Sequence, residues 1–340
     1  MGVYLNYLVI GVVLFCLELL YFAVADKYNI IDKPNERSSH TSVVLRGGGV
    51  IFSCSMVAWA VMMAVQGSWG VVEGYLHFGC GLLIVAVVSF LDDIMSLPDA
   101  IRLVAQFVAM ALMFWSMGIM HWNMWWIVAI ALVVCVGATN VINFMDGVNG
   151  ITAGYSLTVL LPLMVLNKNL YFIDHSFLIV ASLGVVVFSL FNFRPKGKAK
   201  CFAGDVGSVS IAFIMLFAIG RLAVLTQDVT YLIFLLVYGV DGCLTICHRI
   251  LLRENLGEAH RKHVYQLMAN ELKMGHVEVS LIYMALQLMI SLAFIYLCPN
   301  TVLAHWIYLA GAFVLLTILY VFFKKKYYHL HEEYLEGLKK

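Results

Sequence analysis

Apolar runs about as long as a bilayer is thick recur along almost the whole chain, and they admit one kind of fold. Crossing roughly 30 Å of hydrocarbon takes about 20 residues of helix. Runs near that length are predicted at 3–25, 47–66, 76–91, 101–120, 125–142, 151–166, 177–193, 206–226, 230–247, 277–297 and 302–323. The chain is 63% hydrophobic and 12% charged, where an ordinary globular chain carries about 25% charged residues. The expected fold is therefore all-α and integral to the membrane, with about eleven transmembrane helices. Residues 1–323 are expected to form a single polytopic domain with no soluble module, and 324–340 a charged tail. Trp69, Trp122, Trp125, Trp126 and Trp306 fall near run ends, as interfacial aromatics do. The first run has neither a basic n-region nor an A-x-A site, so it reads as a retained span rather than a signal peptide.

Charge sets the expected topology. Of the 21 basic residues, all but Lys168 and Arg221 lie in or beside the loops that follow odd-numbered runs, or in the tail. Under the positive-inside rule those loops are cytoplasmic, with the N-terminus outside and the C-terminus inside. A formal net charge of +1 suggests no polyanionic partner, and nucleic acid is not expected. The eight cysteines are scattered without a C-x-x-C pair and read as small hydrophobes.

Against this apolar background the polar clusters stand out, and all fall on the same expected face. Asn140–Gly150, N-V-I-N-F-M-D-G-V-N-G, sits between two runs apolar enough to lie in lipid. Polar backbone at that depth is tolerated only when buried in protein or facing a wet cavity. Asn140, Asn143 and Asp146 follow a three-residue step that puts them roughly on one helix face. A capped helix end explains one Asn and one Gly there, not three amides and an acid. Asp92-Asp93 closes the third run, and two adjacent carboxylates need a cation or a shared proton unless simply solvated. Gly204-Asp205-Val206-Gly207-Ser208 opens the eighth run. Asp205 there is either an N-cap or a Mg²⁺ ligand working with pyrophosphate oxygens. His260-Arg261-Lys262-His263 suits an anionic diphosphate better than zinc, because its own cations repel a metal. Arg46-Gly47-Gly48-Gly49 offers backbone N–H groups to phosphate but lacks the Lys-Ser/Thr of a P-loop. Glu18 and Asp241 are ionisable residues within spans and are candidates by default. Arg194, Lys196, Lys198 and Lys200 are read as topological charges. A transporter would place polar residues near the midplane. One-sided clustering favours an enzyme that takes a soluble substrate and acts on a lipid headgroup, with a transporter or flippase of a lipid-linked or nucleotide sugar as the alternative. An alcohol phosphatidyltransferase would need D-G-x-x-A-R, and Asp146-Gly147 is followed by V-N-G.

In this order D-D, N-x-x-N-x-x-D-G, G-D-x-G-S and H-x-x-H resemble the polyprenyl-phosphate N-acetylhexosamine-1-phosphate transferases. Asp32–Thr41 and Glu258–Gln266 look like the O-antigen-initiating branch, whose members transfer N-acetylfucosamine, N-acetylquinovosamine or N-acetylglucosamine phosphate. The triple histidine of the peptidoglycan branch is absent. The resemblance implies transfer from a UDP-N-acetylhexosamine to undecaprenyl phosphate, with release of UMP, at the cytoplasmic face of a bacterial inner membrane. It implies catalytic roles for Asp92, Asp93, Asp146, His260 and His263. Asn140, Asn143, Asn149, Arg46, Arg261 and Lys33 would bind substrates, and Asp205 with Asp146 would hold Mg²⁺, for which Mn²⁺ can substitute. Many members carry a second aspartate where this chain has Asn149.

Overall fold

A computed structural model describes residues 2–32, 43–120, 123, 125–255, 257 and 260–338. Ten helices among them are long and apolar enough to cross a membrane, so the protein is an all-α, multi-pass membrane protein. In chain order come α1 (Gly2–Lys27), a two-residue antiparallel pair β1 (Ile31–Asp32) and β2 (Val44–Leu45), α2 (Val50–Val65) and a short α3 (Trp69–Gly74). Then follow α4 (Leu76–Met95), α5 (Asp99–Ser116), α6 (Trp125–Phe144), α7 (Ile151–Leu170), α8 (His175–Asn192) and α9 (Gly204–Thr226). A 3₁₀ segment, Val229–Leu235, leads into α10 (Leu236–Leu251); after it come the single turn α11 (Val264–Gln266), α12 (His276–Tyr296) and α13 (Val302–Leu338).

The eleven expected runs are all helical, with two informative departures. The second was expected to begin at 47, but α2 begins at Val50 and has only 16 residues. Its glycines are not helical because they are used elsewhere. Gly48 N–H donates to the Phe202 carbonyl at 2.9 Å and Gly49 N–H to that of Ala203 at 3.1 Å, while Phe202 N–H donates to Leu45 O at 2.8 Å. Those two glycine N–H groups are thus spent on the α8–α9 loop, which corrects their expected service to phosphate. The second departure is α13, which runs 37 residues and carries the helix through the expected tail as far as Leu338.

Helix α9 is the post of the bundle. Residues from Val206 to Ile219 are buried without a break, as expected of a helix apolar on every side. It packs against α2, α4, α6 and α7. Far from its N-terminus, Phe78 stacks on Phe217 at 4.2 Å, and Trp59 Nε1 donates to Ser176 Oγ at 2.8 Å. At the N-terminal end α9 touches the start of α2 backbone to backbone: a Cβ on Gly207 would stand 2.6 Å from the Gly49 Cα. Gly207→Ala should therefore lose stability by about 1–3 kcal/mol through overpacking, against a gain of about 1 kcal/mol in helix propensity. A lower melting temperature of the detergent-solubilised protein checks this. An unchanged one would mean the two helices can part at no cost.

The 3₁₀ segment makes a joint in the ninth span, and one buried side chain repairs it. Gln287 Nε2 donates to Ile233 O at 3.0 Å while its Oε1 accepts from Val237 N–H at 3.1 Å and Tyr155 Oη at 2.7 Å. A break in a membrane helix is tolerated when a neighbour satisfies the freed backbone groups.

Candidate active site

The two adjacent aspartates of α4 do different things, because successive helical residues diverge by about 100°. Asp93 turns inward and is fully buried, accepting from Arg46 Nε at 2.7 Å. It also accepts from the backbone N–H groups of Asp205 and Val206 at 2.9 and 3.0 Å. A carboxylate on those otherwise unpaired N–H groups caps α9 and meets the positive end of its dipole. Gly204 makes room, since its φ is +69° and a Cβ would lie 2.6 Å from Asp93 Oδ2. Burial alone would lower the Arg46 guanidinium, but Asp93, Asp205 and Asp32 hold it above its ordinary value.

Asp92 faces the other way. Its oxygens accept from Leu97 N–H at 2.6 Å and Arg102 at 2.7 Å, and its carboxyl is within hydrogen-bonding reach of Asp205. Arg102 joins the cluster, reaching Asp205 at 3.4 Å and Asp99 at 2.6 Å. In the sequence it counted only toward topology. Its available signal was being the lone cation next to the D-D pair.

Asn140 and Asn143 do share a face of α6 and line a small cavity with Arg102, Gln106, Ser89 and Asp205. Asn140 donates to Gln106 Oε1 at 2.7 Å, and Asn143 Oδ1 accepts from Ser208 at 2.5 Å. Asp146 falls beyond the helix end and accepts from Thr152 Oγ1 at 2.5 Å. Burial pushes its carboxyl up to about 6. Asn149, expected on substrate, is buried and committed to structure. Its amide donates to the carbonyls of Arg194 and Pro195 at 2.9 and 3.1 Å, and its own carbonyl accepts from Ser280 at 2.9 Å.

A cavity of about 400 Å³ continues from this cluster, sharing Arg102 and Asn140 and bounded beyond them by Arg249, His260, His263 and Gln266. His260 lies there with its imidazole pushed down to about 3 by burial, then by His263 and Arg249. It is therefore neutral at physiological pH and enters the wall as an uncharged imidazole. The cations on its wall are Arg102 and Arg249, the latter paired with Glu254 at 3.2 Å; Arg249 carried no signal in the sequence because a cation in the last turn of a span reads as topology. His263 is almost wholly buried, 3.4 Å from Asp241. Asp241 also accepts from Tyr283 at 2.6 Å and Val264 N–H at 3.0 Å, so this intramembrane acid holds the histidine loop. Arg261, expected on donor phosphates, turns away to Glu271 at 3.7 Å and lies 4.6 Å from the Tyr334 ring. Glu18 is buried beside Cys201, with Sγ 3.7 Å away, and does not line either cavity. Lys33, with most of the 32–41 stretch and Glu258, lies outside the described residues.

Among the described residues no group of three or more acids, histidines or cysteines converges as a metal cage. Asp92 and Asp205, facing each other beside Arg102, offer only oxygen. That matches Mg²⁺, which binds through one or two carboxylates plus substrate phosphates.

The description glycosyl transferase family 4 matches residues 75–224, a stretch that carries the acid pair, the asparagines and Asp205. A probable undecaprenyl-phosphate N-acetylglucosaminyl 1-phosphate transferase of Bacillus subtilis (strain 168) is 26% identical over 265 residues, 72% of each chain. A phospho-N-acetylmuramoyl-pentapeptide-transferase of Thermotoga neapolitana is 31% identical over 126 residues, 37% of this chain and 39% of its own. Its counterpart in Thermotoga maritima is 29% identical over 121 residues, 36% of this chain and 37% of its own. The match over residues 75–224, the likeness to these transferases, and four motifs in order with their side chains gathered at one end of the bundle support a place in the polyprenyl-phosphate hexosamine-1-phosphate transferase superfamily.

Proposed function

We propose that the protein transfers N-acetylhexosamine-1-phosphate from a UDP-sugar to undecaprenyl phosphate, releasing UMP, at a site facing the cytoplasm. The observation that carries this reading is the meeting of Asp92 and Asp205 at Arg102, which also lines a cavity bounded by Arg249 and His260. An acceptor phosphate oxygen forms a bond to the phosphorus bearing the sugar. The bond from that phosphorus to the bridging oxygen breaks, and UMP leaves with the electron pair. The acceptor is already ionised, so the protein's main task is to align two anions and neutralise them. Asp205 and Asp92 would hold Mg²⁺, which when bound neutralises charge on the donor diphosphate. Arg102 orients both carboxylates, Asn140 is held on the cavity wall by Gln106, Asn143 is steadied by Ser208, and neutral His260 hydrogen-bonds the donor without adding charge.

The relative aligned over 72% of both chains is named for N-acetylglucosaminyl phosphate transfer, and the triple histidine of the peptidoglycan branch is absent here. Both favour a simple N-acetylhexosamine over a muramoyl-pentapeptide, with a product that initiates a cell-surface glycan such as O-antigen. The test is UMP release by purified protein given undecaprenyl phosphate and a panel of UDP-sugars. At least one UDP-N-acetylhexosamine should support release that stops when EDTA is added, and silence across the panel would overturn the reading.

A further inference from the structure

Helix α13 is 37 residues long, well beyond the roughly 20 needed to cross a bilayer. Its excess does not stand free. Lys324 Nζ donates to the carbonyl of Lys262, and Lys324 and His331 are buried. His331 Nδ1 lies 3.0 Å from Glu271 Oε1, the same oxygen that faces Arg261 at 3.7 Å. The Arg261 guanidinium sits 4.6 Å from the Tyr334 ring centre, and Lys262 lies 5.9 Å from that of Tyr328 while pairing with Glu254. Arg261 and Lys262 are the two residues between His260 and His263, so every contact that fixes them fixes the histidines. Charges this deeply buried must be paired: Glu271 and Glu254 do this for Arg261 and Lys262, and α13, some 60 residues downstream, adds a hydrogen bond to the Lys262 carbonyl, a histidine against Glu271 and two aromatic rings.

We infer that the extension of α13 is a positioning element for the donor site: Lys324, Tyr328, His331 and Tyr334 clasp the 260–271 loop and set where His260 and His263 stand over the cavity. This rests on the transferase reading for its kinetic consequence but not for the contact itself. An aromatic ring beneath a guanidinium is the removable part of the clasp, and Tyr334→Phe keeps it while Tyr334→Ala does not. In Tyr334→Ala, amide hydrogen exchange across 260–271 should rise and the KM for the UDP-sugar should increase, each by about fivefold or more. The KM for undecaprenyl phosphate and kcat at saturating donor should stay within about twofold, and Tyr334→Phe should behave as wild type. His331→Ala against His331→Gln gives the same comparison on Glu271. Unchanged exchange in both alanine variants, or a fall in kcat with donor KM unmoved, would overturn the proposal. Exchange needs no substrate, so it decides the clasp even if wild-type protein releases no UMP, a result that would sink the transferase reading instead.

Discussion

Asp205→Asn should abolish Mg²⁺-dependent UMP release while leaving the protein at least as stable as before. The carboxyls of Asp205 and Asp92 lie within hydrogen-bonding reach of each other, and Arg102 lies 3.4 Å from one and 2.7 Å from the other. Two carboxylates that close repel, so neutralising one relieves the folded state. The same change removes an anionic oxygen that suits a hard cation and the charge balance needed by two phosphates. Losing a preorganised electrostatic partner of this kind costs about 10²–10³ in rate, and loss of the metal adds to that. The measurement pairs a Mg²⁺ titration of UMP release with a melting curve in detergent. Near-normal release that still saturates with Mg²⁺ would remove Asp205 from the site. A collapse in melting temperature would mark it as a structural cap instead.

Much of this site was legible in the sequence because lipid is an unforgiving solvent. Carboxylates and amides at span ends stand out against apolar neighbours, and the positions of Asp92, Asp146 and Asp205 needed no fold to be noticed. What each one does was not legible, for three physical reasons. Neighbours on a helix face different ways, and nothing in F-L-D-D-I says which aspartate looks inward. A side chain's partner also decides its role: Arg261 is bound to Glu271 and Tyr334, and no local pattern announces a residue so far along the chain. Cations do two jobs in membrane proteins, so Arg102 and Arg249 disappeared into the count that orients the loops. The glycines of Arg46–Gly49 show the reverse error. Their pattern suggested phosphate, while the α8–α9 loop and the close approach of Gly207 already account for them.

The D-D pair allows the sharpest separation of structure from chemistry. Asp93→Ala should destabilise the protein by about 3 kcal/mol, because it leaves the Arg46 charge without its 2.7 Å partner and uncaps two N–H groups of α9. Arg46 is about one-third exposed, which lets water recover part of the loss and keeps the figure at the lower end of the range for a broken buried pair. Asp92→Ala should melt near the wild-type temperature, since Arg102 keeps Asp99 at 2.6 Å and is itself partly exposed. Its UMP release should fall by about 10² or more, as expected when one of the two carboxylates that would hold Mg²⁺ on the donor diphosphate is removed. Melting curves and UMP release on both variants decide the assignment. If Asp93→Ala melts normally and Asp92→Ala keeps its release, the two aspartates have exchanged the roles given to them here, and Arg46 rather than Arg102 is the cation to place beside the substrate.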